Sequence, residues 1–528
     1  MSKFIKLMSL LLVLVTVASC FAACGDKKNT NTTETKEENV DEDVLAFRER
    51  MEAKNNKQPN FNNAKVSFIV CGGDEDMEDD SLNTRSITPF DTEDLTFAVN
   101  SAVVDRNKEV EKYLNVQIDL KAVSGMQALA EKINGPLSMG MHEYDIVAGY
   151  QYFDIGLTIG ENAGSFLNYE TMDEKDNYID LSQPYWDSKL YDTMMYKDTA
   201  FWVTGDISQN WVGCVTVSFV NKTLWDRYAA KIATIPEAEG ISDLYEIVEK
   251  GLWTIDLLSE ISKEIYVDNN SNEKVDLGDT VGFISYKPSL NTVMTDVLAA
   301  GAHITYSVLD DEGNPKIDFD NSRTNLFATK LSKLYTQSKA LLVDWDNEKY
   351  IVEMFAEGNI LMTPNYMNKA ESDLTEMTDT YVVLPPPLLL AHDKYSTCYG
   401  DSCSQYGIPY TTKREGKLAA ATATLEAMAF YSYKLVTPVY YDLMLKGRYT
   451  HVDVDSQKQA EIIDDIRDAK FTDFAMIWSN SLGNLTWFFR ENCTSDSITT
   501  ATKKQQTTWE AKMDDLLEDI ESTYWMEL

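Results

Sequence analysis

The chain has 528 residues and a formal net charge of −38, from 47 basic and 85 acidic side chains. At about 150 residues per domain this length predicts three domains or two large lobes, and 44% apolar residues can build a sizeable core, which excludes global disorder and coiled-coil structure. Such acidity repels phosphate backbones, so nucleic acid is not an expected partner. Seven cysteines are too few for a disulfide scaffold, and four histidines without HxxH spacing do not support a zinc site.

Residues 1–24 are a targeting segment. Two lysines precede an apolar run of 11 residues, 7–17, which is too short to span a bilayer of about 30 Å. Small residues then lead into Cys20 and into Cys24, and both junctions resemble a bacterial lipobox. We favour Cys24 as the lipidated residue, with Cys20 as the alternative, because Cys24 leaves the whole polar run outside the membrane. An ordinary secretory signal is the other interpretation.

The segment 25–63 is predicted to be a polar tether with a short helix. Residues 25–44 contain almost nothing apolar, so they cannot bury enough surface to fold. A short helix is expected from Leu45, and the folded body from Ala64. A lipid anchor of two acyl chains would hold this body on the outer face of the cytoplasmic membrane without a spanning helix.

The sequence of the first part of the body predicts a parallel sheet covered by helices. Its elements alternate between strand and helix in the order Lys65–Cys71, 92–113, Asn115–Leu120, 126–134 and Tyr144–Ala148, with the second helix ending at Gly135-Pro136. Parallel strands with helical crossovers define an α/β layer.

The second part continues with mixed elements. An apolar stretch covers Trp211–Val220, and a hairpin is expected over 304–319. Helices are predicted at 223–230, 241–251 and 254–265, and strands at Gly282–Tyr286, Ile360–Thr363 and Tyr381–Leu384. The tail from about 415 onward is mostly helical.

Five pieces of sequence, taken in order, resemble the carbohydrate-type extracellular solute-binding proteins of ABC importers, the branch that includes maltose-binding protein. They are the strand YDIV at 144–147, the crossover SFVNKTLW at 218–225, the helix start WTIDLL at 253–258, FAEGNILM at 355–362, and LPPP at 384–387. Each piece is weak alone, but the ordered set together with a lipobox is specific.

The resemblance implies an α/β fold with two lobes, the type II periplasmic-binding-protein-like fold, in which each lobe is a sheet flanked by helices and crossover hinge strands join them. Lobe 1 is then expected at 64–213 plus 404–450, and lobe 2 at 217–400 plus 455–528. A ligand would be held between the lobes by hinge closure.

Sugars present flat C–H faces and rings of hydroxyls, so a cleft needs aromatic planes beside amides or carboxylates. The segments that match cleft positions of the family combine these residue types. The resulting candidates are Tyr150, Gln151, Tyr152, Asn210, Trp211, Asn365, Tyr366 and Asp401, and Tyr286 and Trp478 follow more loosely from family order. With 58 aromatic residues in the chain, some of these rings are alternatively core.

The loop 268–279 resembles an EF-hand calcium loop, with oxygen-bearing side chains at the required spacing on Asp268, Asn270, Asn272, Asp276 and Asp279. Glu273 replaces the glycine of the sharp turn, and Asp279 replaces the bidentate glutamate. A solvated acidic loop is therefore the favoured interpretation, and a structural calcium ion is the alternative. No cofactor is otherwise expected.

Cys398 and Cys403 flank the second crossover, and whether they form a disulfide stays open at this point. The enzyme alternative is a secreted glycoside hydrolase, but 85 acids make carboxylate pairs uninformative, and no GxSxG, HExxH or P-loop context is present. We therefore expect a monomeric, non-catalytic receptor that delivers its ligand to ABC permease subunits. The leading ligand is an oligosaccharide, with a non-sugar polar solute as the alternative.

Overall fold

The structure is a computed structural model. It describes residues 41–72, 82–87, 98–124, 126–154, 156, 164–290, 292–344, 351, 354–370, 374, 377–400, 403–446, 456–494 and 498–526. The signal segment with Cys20 and Cys24, most of the polar tether, and Asp401 lie outside the described residues. The chain divides into two units, Met1–Arg48 and Glu49–Leu528. In the first unit the described residues begin a helix at Glu42, close to the helix expected from Leu45.

The α-helices are α1 Glu42–Ala53, α2 Leu82–Ile87, α3 Ala98–Leu114, α4 Met126–Ser138, α5 Gln151–Asp154, α6 Ser188–Met194, α7 Gln209–Gly213, α8 Lys222–Ile232, α9 Leu244–Glu249, α10 Ile255–Ile265, α11 Val293–Gly301, α12 Ser322–Gln337, α13 Tyr410–Arg414, α14 Leu418–Tyr431, α15 Ser456–Asp468, α16 Phe474–Ile477, α17 Leu485–Asn492 and α18 Ile498–Met526. Short 3-10 turns cover Pro236–Ala238, Pro288–Leu290 and Met367–Ala370, and π-helical turns cover Ser432–Val436 and Pro438–Lys446.

The strands are β1 Ala64–Gly72, β2 Val116–Ser124, β3 Ile146–Tyr150, β4 Thr216–Asn221, β5 Val281–Tyr286, β6 Ser307–Leu309, β7 Pro315–Ile317, β8 Leu341–Val343, β9 Ile360–Tyr366, β10 Tyr381–Leu384, β11 Thr397–Cys398, β12 Ser404–Gly407 and β13 Lys470–Phe471. They form a four-stranded sheet, a five-stranded sheet and two small pairs, β11–β13 and β6–β7.

The four-stranded sheet has the order β12-β3-β1-β2, with β1, β2 and β3 parallel and β12 antiparallel to β3. Asp145, the acid of the YDIV motif, is fully buried at the amino end of β3. Its carboxylate accepts hydrogen bonds from the backbone N–H of Ser67, at 2.8 Å, and from the Lys417 ammonium at the start of α14, at 2.8 Å. The motif acid therefore connects β1, β3 and α14.

The five-stranded sheet has the order β10-β4-β9-β5-β8, and β4 runs antiparallel to both of its neighbours. Two of its helices, α8 and α10, begin at side-chain caps. The Asn221 carboxamide oxygen accepts a hydrogen bond from Leu224 N at 2.8 Å, and the Thr254 hydroxyl accepts one from Leu257 N at 3.1 Å. Helices α11 and α12 belong to this body, since α11 contacts β9 and β4, and α12 packs on α10.

Two predicted element boundaries differ from the structure. Helix α4 does not end at Gly135-Pro136 but continues through Pro136 to Ser138. Proline removes one N–H donor, so a single helical hydrogen bond is lost here. The carbonyls at the helix end are paired, because Gly135 O accepts the Ser138 hydroxyl at 2.9 Å and Pro136 O accepts Met141 N at 2.8 Å. The apolar stretch 211–220 is not one element, because the Ser208 hydroxyl caps a short helix, α7, before β4 begins.

Within the described ranges, none of the helices combines the length and the apolar character that crossing a bilayer requires.

Candidate functional site

Two backbone segments connect the sheets side by side. The first leads from α7 through Cys214 and Val215 into β4, and the second leads from β11 through Tyr399 and Gly400 into β12. Val215 pairs antiparallel with Tyr399, and the Gly400 N–H donates to Cys214 O at 2.9 Å. A Cβ on Gly400 would lie 2.7 Å from the Tyr366 ring, so the crossing accepts only glycine without rearrangement.

A pocket with about 490 Å³ of empty space lies beside this crossing. Gln151 contributes from the end of the four-stranded sheet, whereas Asp296, Ala299 and Ala300 contribute from α11 of the five-stranded body. Tyr306 contributes from the residue before β6. The remaining lining residues come from the second crossover and the C-terminal segment, namely Cys398, Tyr399, Phe471, Thr472, Met476 and Thr486. The pocket is thus enclosed by both bodies and by the backbone that joins them.

The ring of Tyr399 forms part of the pocket wall, and charged groups hold it in position. Its hydroxyl and the Trp211 indole N–H both donate to Asp187 Oδ2, the latter at 2.7 Å. The Lys470 ammonium lies 3.8 Å from the centroid of the Trp211 ring and 4.9 Å from that of Tyr399. Burial lowers the pKa of Lys470 to about 8, although Asp187 opposes the shift. This cluster fixes the orientation of the Tyr399 ring.

A second buried carboxylate, Asp206, lies close to the same charges. Burial raises its pKa to about 6, and its interactions with Thr437, Arg467 and Lys470 only partly offset that effect. The region behind the pocket therefore holds an acid that takes up a proton in the mildly acidic range.

The carboxylate in the pocket wall, Asp296, is neutralised by an arginine. Arg490 Nε lies 3.0 Å from each carboxylate oxygen, and a second guanidinium nitrogen donates to Asp296 Oδ2. The side chains of Arg490 and Asp296 are only 5% and 15% exposed, so water screens the pair weakly. The pair gives the pocket a fixed polar wall with little net charge.

Three of the sequence-predicted residues lie where β3 leads into α5. Gln151 lines the pocket, and its backbone N–H donates to Cys403 O at 2.9 Å. Tyr150 is half-buried and pairs with Ser404 across the sheet. Tyr152 is buried, and its hydroxyl donates to Asn484 Oδ1 at 2.7 Å.

Asn210 and Trp211 are both on α7. Asn210 is buried, and its carboxamide oxygen accepts the Cys214 thiol at 2.6 Å. The Trp211 side chain is 7% exposed and packs under the pocket wall through Asp187 and Lys470. Neither residue is among those that line the pocket as described.

The other predicted residues are distributed around the crossing. Tyr366 is buried against Gly400, and Asn365 accepts the Tyr366 N–H at 2.9 Å. Tyr286 is buried at the end of β5. Trp478 is buried, and its indole N–H donates to Met194 O at 3.4 Å. Asp401 lies outside the described residues.

Sequence reasoning missed several pocket residues, and the reason differs between them. Tyr399 lies in the crossover segment that the resemblance indicates, but the adjacent acid Asp401 was preferred as the candidate. Phe471, Met476 and Thr486 lie in the C-terminal tail, where no quoted motif gives the register. Asp296 lies within an apolar helical stretch. A single carboxylate on the inward face of such a helix is the signal that could have identified it as a pocket residue.

The loop 268–279 places its predicted oxygen ligands close together, but backbone and amide groups occupy them. Asp268 accepts the backbone N–H of Asn272 at 3.2 Å and of Glu273 at 2.7 Å. Asp276 Oδ1 accepts the Asn270 amide at 2.9 Å, and Asp279 Oδ1 accepts Asn269 N at 3.1 Å. The acidic side chains of this loop are thus hydrogen-bonded to its own backbone and amide groups.

Cys398 and Cys403 do not form a disulfide with each other. Cys398 is half-exposed and lines the pocket, whereas Cys403 is buried, and burial raises the pKa of its thiol. The hinge is therefore not cross-linked at this position.

No protein-family model matches the sequence, and no curated protein matches it. Solved structures do match the fold. The ABC substrate-binding protein Lmo0181 from Listeria monocytogenes, solved in complex with cycloalternan, superposes with a TM-score of 0.51 at 14% identity, over 86% of this chain and 99% of its own. The GacH receptor of Streptomyces glaucescens was solved unliganded and with acarbose and an acarbose homolog. It superposes with a TM-score of 0.50 at 14% identity, over 87% of this chain and 99% of its own.

These similarities agree with an α/β fold built on two sheets flanked by helices. The predicted fold class is confirmed: this chain has the two-lobed α/β fold of ABC-transporter substrate-binding proteins.

Proposed function

We propose that the chain is a lipid-anchored, extracellular receptor of an ABC importer, which captures a carbohydrate between its lobes and delivers it to permease subunits. The observation that carries this proposal is the pocket between the two sheet-based bodies. Its wall combines the rings of Tyr399, Tyr306 and Phe471 with the polar groups of Gln151 and Asp296. Stacking planes beside hydrogen-bonding groups are the chemistry that a sugar requires.

The proposed lobes are 64–213 plus 404–450 and 217–400 plus 455–528. In support, β1, β2, β3 and β12 of the four-stranded sheet fall in the first set, and the strands of the five-stranded sheet fall in the second except for Thr216 at the start of β4. The paired segments at Val215 and Tyr399 would then act as the hinge.

Binding would proceed by a shift between open and closed states. A ligand that contacts Gln151 from one lobe and Asp296 from the other interacts fully only when the lobes are closed, so it favours the closed state through differential contacts. Permease subunits would recognise the closed receptor. The lipid anchor at Cys24, or at Cys20, would keep it near them.

A receptor role is favoured over glycoside hydrolysis by the chemistry of the pocket. Retaining glycosidases need two carboxyl groups about 5–5.5 Å apart, one of them able to donate a proton. Among the residues that line the pocket in the described structure, Asp296 is the one carboxylate, and Arg490 holds it as a hydrogen-bonded ion pair. A carboxylate paired in this way is a poor general acid.

A thermal-shift screen of the full-length chain with Cys20→Ser and Cys24→Ser, against glycans and small polar solutes, tests the proposal. A ligand at a hundred times its Kd adds about 2.7 kcal/mol to stability and raises Tm visibly. A shift with an intact glycan supports the receptor. Breakdown products in chromatography would make the protein an enzyme, and a shift only with other solutes would remove the sugar assignment.

The same screen, run with calcium and with a chelator, tests the loop 268–279. Among the described residues, no group of three or more histidine, cysteine, aspartate or glutamate side chains is arranged to hold a metal ion. We therefore expect Tm to be equal in both conditions. A calcium-dependent rise that Asp268→Asn abolishes would instead assign a structural ion to this loop.

A further inference from the structure

Two aromatic rings are stacked at the edge of the pocket. The rings of Tyr152 and Trp487 lie 5.7 Å apart between centroids and 8° from parallel. The Tyr152 hydroxyl donates to Asn484 Oδ1 at 2.7 Å, one turn before Trp487. The Trp487 side chain remains 41% exposed.

The two rings belong to different bodies. Tyr152 lies on α5, which follows β3 of the four-stranded sheet directly. Trp487 lies on α17, where Arg490 binds Asp296 of α11 and Phe489 stacks on Phe327 of α12 at 5.9 Å and 16°. Because α11 and α12 pack in the five-stranded body, the Tyr152–Trp487 contact spans from one body to the other.

Each ring of the stacked pair belongs to the chain neighbour of a pocket-lining residue, although neither ring is itself among the lining residues. Gln151 and Thr486 line the pocket, and they are the chain neighbours of Tyr152 and Trp487. The pocket volume of about 490 Å³ includes space open to solvent.

We infer that Tyr152 and Trp487 form an aromatic gate, which closes one end of the pocket and restricts the ligand to a short saccharide. This inference rests on the proposed function, and it names the size class of the ligand. A longer chain could leave the pocket at this end only by separating the two rings and breaking the Tyr152–Asn484 hydrogen bond. The gate therefore disfavours long saccharides, while the inner wall of the pocket binds the sugar.

The first test compares saccharide length ladders, from mono- to hexasaccharides of several linkages, on the native chain, Trp487→Ala and Tyr152→Ala. Tyr410→Ala is a matched control, because Tyr410 is 44% exposed and lies on α13, away from the pocket lining. We expect native binding to weaken beyond the disaccharide. In both gate variants the affinity for the hexasaccharide relative to the disaccharide should rise about tenfold, or about 1.4 kcal/mol.

A second test needs no ligand. Cys398 lines the pocket and is half-exposed, whereas Cys71, Cys214, Cys403 and Cys493 are buried. In the full-length chain with Cys20→Ser and Cys24→Ser, a small alkylating reagent and a bulky polymer-linked maleimide report on access to Cys398. In the gate variants, Cys398 should react severalfold faster with the bulky reagent and at the native rate with the small one. Cys398→Ser should abolish both reactions.

The two tests separate the inference from the function on which it rests. If no saccharide binds but the gate variants still accelerate the bulky reagent, the gate closes the pocket and the ligand assignment is wrong. If the bulky reagent reacts equally fast with the native chain and with both gate variants, the gate does not exist. Equal length preference in native and variant chains would likewise overturn the inference.

Discussion

The ring of Tyr399 is held in place by a shared carboxylate. Asp187 accepts hydrogen bonds from both Tyr399 and Trp211, and the Lys470 ammonium lies against both rings. Because these partners are buried, the ring has little freedom to rotate, and a sugar that stacks on it meets a pre-oriented plane. Trp211 thus acts on the pocket through Tyr399 in this arrangement.

Replacing Tyr399 with alanine should weaken carbohydrate binding at least fivefold, which corresponds to about 1 kcal/mol of lost stacking. Tyr399→Phe keeps the plane and should lose less. Calorimetric titration with the best saccharide of the screen measures both values, and Tyr410→Ala serves as the exposed aromatic control. If Tyr399→Ala bound the saccharide with native affinity, this ring would not be part of the binding site.

Asp206 predicts a pH dependence of stability. Its ordinary pKa of 3.8 is raised to about 6 in the folded chain, so the folded state binds this proton more readily than the unfolded state does. The contribution of this group to stability therefore increases as the pH falls from about 7 to about 4. Asp206→Asn mimics the protonated acid, so its stability relative to the native chain should be about 2 kcal/mol greater at pH 7.5 than at pH 4. Urea unfolding at both pH values measures this difference, and a pH-independent difference would contradict it.

At the scale of elements, Asp145 connects three parts of the first sheet layer. Its buried carboxylate accepts hydrogen bonds from Ser67 of β1 and from Lys417 at the start of α14. Breaking a buried charged pair costs about 3–5 kcal/mol, whereas exposed pairs contribute about 0–1 kcal/mol. Asp145→Asn should therefore lower the free energy of unfolding by several kcal/mol. The control is Asp119→Asn, in the exposed Lys65–Asp119 pair, which should change it little. Equal effects would show that Asp145 is not structural.

The sequence predicts these elements where local signals are strong. The alternation around β1, β2 and β3 depends on neighbouring residues, so it can be recognised without the tertiary structure. Helix α4 shows the limit, since Pro136 ends a helix by propensity, yet the helix continues through it to Ser138. The pocket was predicted less completely because Phe471, Met476 and Thr486 come from the C-terminal tail, and only tertiary packing brings them beside Gln151.

For the whole molecule, the proposed function depends on two bodies that close on one pocket. The pocket lining draws on α11, on the end of β3, on the second crossover and on the C-terminal segment. Any motion about the crossing of Val215 and Tyr399 therefore changes its shape. A net charge of −38 further favours neutral ligands over anionic ones, because the field of the whole chain repels anions.

The most direct measurement is the protection of Cys398 by a bound sugar. Cys398 lines the pocket, so a saccharide that raises Tm should also slow alkylation of this thiol by a small reagent, saturably and with the same Kd. The full-length chain with Cys20→Ser and Cys24→Ser is used, and Cys398→Ser gives the background rate. The account predicts saturable protection with recovery of intact sugar. A saccharide that stabilises the chain while Cys398 reacts at its unprotected rate would place the binding site elsewhere and contradict the account.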